Sequence, residues 1–153
     1  MPTIKSILCP VDFSEPSFQG LTTAVELADV FKADLKIVYV LPVLPPSPTD
    51  PNFEFEVPEY ENILHKDSQK KLDEIIKTKI PAGIKAIAVV GHGNPAKEIV
   101  RIAEEDKVDL IVMATHGHSE VRHVLVGSVT EDVVRNGHAP VLLARPLTDQ
   151  PIG

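Results

Sequence analysis

The residues best suited to chemistry begin where an apolar run ends. Leu110 to Met113 is followed by Ala114 and then by Thr115-His116-Gly117-His118-Ser119, a small, polar, turn-prone stretch. Nine residues separate Gly117 from Gly127-Ser128, where a segment opens with helical spacing at Val129, Val133 and Val134. Two glycines thus bracket a loop that leads into a helix start. The first backbone amides of a helix have no intrahelical partner, the helix dipole adds positive potential, and glycine lets a phosphate come close. Such a loop can hold an anion. The bland alternative is a capping box over Ser128-Val129-Thr130-Glu131, with Ser128 accepting an amide hydrogen and Glu131 reaching back.

Asp12 stands just after a second apolar run, Ile7 to Val11. A carboxylate there can accept from ribose hydroxyls or support a phosphate-bound Mg²⁺. It could instead cap the next helix, but Ser14 is available for that. His116, His118 and His123 suggest a metal, yet H-x-H-x4-H matches no strong ligand pattern and the loop has no cysteine. His118 is better suited to offer its backbone amide to an anion. Gly91, Gly93 and Ala96 fit the dinucleotide fingerprint G-x-G-x-x-G/A, which belongs in a first strand-to-helix turn with an acid ending the next strand. Here the turn is the third and Asp109 begins its strand, so Asn94 as a cap and Pro95 at the first helical position explain the segment. There is no Walker G-x4-G-K-S/T and no lysine in the glycine loop, so no catalytic residue is expected.

The elements that must position these groups follow from periodicity. Strands are expected over residues 4–11, 35–41, 84–90, 110–113 and 140–144. Helices are expected over 14–31, with Leu21, Val25, Ala28 and Phe31 on one face, and over 59–79, with Ile63, Leu64, Leu72, Ile75 and Ile76 inward and a charged, solvated outer face. A third follows Pro95, and a fourth covers 128–135 with Asn136-Gly137 as a left-handed cap. Residues 42–58 hold six of the 14 prolines and read as a long loop, a connector or a substrate lid.

Strand and helix alternate with no hairpin signal, which implies a single α/β domain over residues 1–147, a five-stranded parallel sheet with helices on both faces, and a flexible tail over 148–153. The length of 153 residues and 43% apolar content suffice for one core. In such a three-layer, flavodoxin-like sandwich of strand order 3-2-1-4-5, ligands bind beyond the carboxyl ends of strands 1 and 4. Asp12 and the loop from Gly117 to Ser128 both fall there.

A net charge of −7, a pI near 5.3 and only five Phe, two Tyr and no Trp speak against nucleic acid as a partner. Cys9, the single cysteine, lies in an apolar run and is expected to be a buried, inert thiol. Lys5 is followed by only a short apolar run, and no stretch approaches the roughly 20 apolar residues of a membrane span. A cytoplasmic protein with no membrane partner is the expectation.

ILCPVDFSEPS near the start, GNPAKEIVRIAEEDKVDLIVMATHG in the middle and GSVTEDVVRNGHAPVLLAR near the end resemble, in this order, the universal stress protein family. Gly117, nine residues and Gly127-Ser128 match the second half of the signature G-x2-G-x9-G-S/T of its ATP-binding members, and Ala114 stands where the first glycine falls. The resemblance implies an adenine nucleotide alpha hydrolase-like fold. It also implies ATP with Mg²⁺ or Mn²⁺, with adenine and ribose near Pro10, Val11, Asp12 and Val40. The phosphates would lie on Gly117, His118, Gly127, Ser128 and Val129, with Met113 and Thr130 completing the set. A homodimer through the last strand, from Pro140 through Val141, Leu142 and Leu143 to Ala144, is implied as well, and an unpaired apolar edge would otherwise invite aggregation. Val124-Leu125-Val126 is expected near that interface. The leading expectation is an ATP-binding module of stress response or signalling. A dimeric interaction protein that binds no nucleotide and a slow ATP hydrolase are the alternatives.

Overall fold

The structure, a computed structural model, describes residues 3–42, 57–115 and 127–145. Along them run β1 (Ser6–Pro10), α1 (Glu15–Phe31), β2 (Asp34–Leu41), α2 (Val57–Lys79), β3 (Ala86–His92), α3 (Pro95–Glu105), β4 (Leu110–Ala114), α4 (Ser128–Asn136) and β5 (Val141–Ala144). The strands pair in parallel in the order β3-β2-β1-β4-β5, as expected. Because successive strand residues point to opposite faces, each central strand feeds two cores. Ile7, Cys9, Leu110 and Val112 pack with Leu21, Ala24 and Ala28 of α1 and Leu72 and Ile75 of α2. Leu8, Ile111 and Met113 pack with Ile99 and Ile102 of α3 and Val133 of α4. Burial of each Leu, Ile, Val or Met side chain among them stabilises by roughly 1.5–3 kcal/mol. Cys9 is fully buried, and burial pushes its thiol up to about 12, so it stays a protonated core residue.

Several local expectations need correcting. β3 lies two residues later than its periodicity suggests, because β2 templates it in register from Leu35↔Ala86 to Leu41↔His92 and draws the turn-like Gly91 and His92 into extended backbone. α2 starts at Val57, inside the stretch expected to be loop, with Pro58 in its first turn where no amide is needed. Ile63 of α2 and Phe31 in the last turn of α1 are 58% and 42% exposed rather than inward. The buried part of α2 is its C-terminal half, around Leu72 and Ile75.

Gly137 is not a left-handed cap. It is extended at φ −86° and ψ 158°, and glycine is required there for space, because a Cβ would lie 2.8 Å from the Val133 carbonyl oxygen. Gly137→Ala is expected to cost about 1–3 kcal/mol, as overpacking does, read as a fall in melting temperature with the far-ultraviolet dichroism unchanged.

Candidate functional site

β1 and β4 lie side by side (Ile7↔Leu110, Leu8↔Ile111), yet the chain leaving β1 enters α1 on one face while α4 packs on the other. The two departures open a crevice at the carboxyl ends of the strands. It forms a cavity of about 690 Å³, within the usual range for small-molecule sites. Pro10 at the end of β1, Val11 and Asp12 just after it, Val40 of β2, Met113 of β4, and Gly127, Ser128, Val129 and Thr130 at the start of α4 all line it. Gly117 and His118 lie outside the described residues, as do His116, His123, Val124-Leu125-Val126 and the tail from 148 onward.

The capping box does not form. Gly127 is the N-cap of α4 with no side-chain bond to the helix start, and Glu131 pairs instead with Arg135 at 2.7 Å. The Glu131 amide donates to the Gly127 carbonyl, while among the described residues no acceptor meets the amides of Ser128, Val129 or Thr130. Three donors at the positive end of a helix thus border the cavity. The Gly127 amide is not a fourth, because it donates to the Thr115 carbonyl at 2.6 Å and closes the base of the loop. The Thr130 hydroxyl is also committed, donating to the Ala114 carbonyl at 3.0 Å and tying α4 to the end of β4. Both residues contribute shape and anchoring, which leaves the amides of residues 128–130 as the donors that border the cavity without an acceptor among the described residues.

Asp12 has a structural tie as well. Its Oδ1 accepts from the Ser14 amide at 3.0 Å and from the Ser14 hydroxyl, and the Ser14 oxygen caps α1 by accepting from the Ser17 amide. This bridge spans Phe13, whose φ of 63° lies in the left-handed region that residues other than glycine rarely adopt. The Phe13 ring sits 4.7 Å from that of Tyr39. Lys71 of α2 also lines the cavity, its Nζ 5.4 Å from the Phe13 ring centre. Sequence reasoning missed Phe13, Tyr39 and Lys71. Lys71 lies two residues from both Gln69 and Asp73, in a segment that reads as solvated surface, so no local signal marks it. The Gly91-Gly93 turn is what its cap residues suggest: the Asn94 side chain accepts from the Lys97 amide and Pro95 opens α3.

A cavity at the topological switch of a parallel sheet, bordered by a helix start without a side-chain cap, defines an α/β domain with a candidate ligand site. The chain belongs to the universal stress protein family, whose family model matches residues 3–145. Universal stress protein MJ0531 of Methanocaldococcus jannaschii is 34% identical over 143 residues, covering 92% of this chain and 82% of that relative. The solved structure of MJ0577 from the same organism superposes with a TM-score of 0.80 at 28% identity, covering 97% of this chain and 100% of that one. The universal stress protein of Archaeoglobus fulgidus in complex with dAMP has a TM-score of 0.59 at 20% identity over 94% of this chain and 98% of that one, a likeness of fold. Among the described residues no helix is long and apolar enough to cross a membrane.

Proposed function

We propose that this chain is an ATP-binding module of stress response or signalling that works as a homodimer. The observation that carries the reading is the start of α4: three backbone amides without acceptors among the described residues, on a cavity whose lining is otherwise mostly apolar, with Val38 and Val40 of β2, Ile99 of α3 and Met113 of β4 among its walls. Apolar walls suit an adenine ring, and oriented amides suit its phosphates. A protein of the same fold holds an adenine nucleotide, dAMP. The failure of the capping box to form favours this reading over a glycine loop that merely starts a helix.

Among the described residues no three His, Cys, Asp or Glu side chains cluster to hold a metal ion. Mg²⁺ or Mn²⁺ would therefore enter with oxygens from phosphates and water, and Asp12 is the carboxylate on the cavity wall that could join them. Our reading is of binding rather than turnover. Asp12→Ala is expected to weaken ATP by roughly 1–3 kcal/mol, the range for hydrogen bonds to charged groups. Nucleotide released on denaturing the purified protein, identified by chromatography, tests the ligand, and its absence after saturation and gel filtration would count against it.

The dimer reading rests on β5. Among the described residues it is an edge strand, pairing with β4 alone, and Leu142 is 36% exposed there. Antiparallel pairing with a second copy would satisfy that edge. Light scattering at micromolar concentration is expected to give twice the chain mass, and a clean monomer would refute the pairing.

A further inference from the structure

Among the described residues that line the cavity, two carry a formal charge, Asp12 and Lys71. Lys71 comes from α2, on the opposite face of the sheet from α4. The turn after β1 is what stations its ammonium: Asp12 grips Ser14 by amide and hydroxyl, Phe13 between them is driven to φ 63°, and its ring lies beneath Lys71 at 5.4 Å, within cation–π range. A left-handed phenylalanine persists only where its surroundings over-determine it, and such residues gather at ligand sites. The formal partner of Lys71 is Asp67, one turn earlier at 3.6 Å, with both side chains more than half exposed. Exposed pairs of this kind are weak, and the flexible lysine stem can exchange partners at little cost. A chain of net charge −7 repels anions at long range, so a local cation is needed where one is to be admitted.

We propose that Lys71 is a specificity-determining residue that leaves Asp67 to meet the negative charge of the bound ligand, so that the cavity distinguishes phosphorylated from unphosphorylated adenine compounds. The inference rests on the nucleotide reading above. Its test is a set of titrations with ATP plus Mg²⁺ and, separately, with adenosine. Lys71→Met keeps the stem but not the charge, and is expected to weaken ATP about fivefold or more while adenosine stays within about twofold. Lys71→Arg is expected to restore ATP binding, and the salt dependence of the ATP affinity should be shallower in Lys71→Met than in the wild type. Asp67→Asn releases Lys71 and should tighten ATP, a gain that disappears in the Lys71→Met background. Equal ATP affinity in the wild type and Lys71→Met, or an equal loss for adenosine, would overturn the proposal while leaving the nucleotide reading intact. A wild type that binds no ATP overturns both.

Discussion

Aspartate in place of Ser128 is expected to weaken ATP binding by about tenfold or more while leaving the fold as stable or more so. Ser128 is the exposed first residue of α4, and its hydroxyl makes no cap. A carboxylate in the first turn of a helix interacts favourably with the dipole, by about 0.3–1 kcal/mol. The same charge faces any phosphate brought to the amides of residues 128–130. Like charges about 4 Å apart repel by about 4 kcal/mol at an effective dielectric constant of about 20, before screening by salt and Mg²⁺ reduces the figure. Affinity and melting temperature should therefore move in opposite directions. Ser128→Ala, which adds no charge, should change neither by much. Calorimetry and thermal melts on one preparation separate the outcomes, and loss of stability together with binding would indicate damage to α4 instead.

Thr130→Val should move both quantities downward. Thr130 is 5% exposed, and its hydroxyl donates to the carbonyl of Ala114, a residue that is 8% exposed. Valine keeps the shape but removes a donor from a buried acceptor, which costs about 1–3 kcal/mol. For a domain of this size each kcal/mol lowers the melting temperature by about 2–4 °C. Because this bond anchors the start of α4 to β4, the amides that face the cavity lose their fixed position and ATP affinity should fall as well. Thr130→Ser retains the hydroxyl and should recover most of the binding.

The fold was legible because its strongest signals are local and agree with one another. The unbroken apolar runs at Ile7 to Val11 and Leu110 to Met113 could only be strands covered on both faces, and the alternation of strand and helix then left few topologies to consider. Nine of the eleven residues expected to contact a ligand line the one cavity described above, because topology alone sends the ends of β1 and β4 to the same crevice. What was missed depends on contacts across the fold. Nothing around Lys71 in sequence says that its turn of α2 reaches the mouth of the crevice, and nothing near Phe13 says that the Asp12–Ser14 bridge forces a left-handed residue between them. β3 ends at His92 rather than Val90 because its partner strand, rather than its own composition, sets where it ends. Ser128 and Glu131 carry the pattern of a capping box, but Arg135 one turn on competes for the glutamate and the box is not made.

The most direct test of the account is a calorimetric titration of the wild-type protein, freed of any bound nucleotide, with ATP and Mg²⁺. The account predicts saturable heat with one nucleotide per chain and a matching rise in melting temperature. No heat and no thermal shift at millimolar ATP would contradict it.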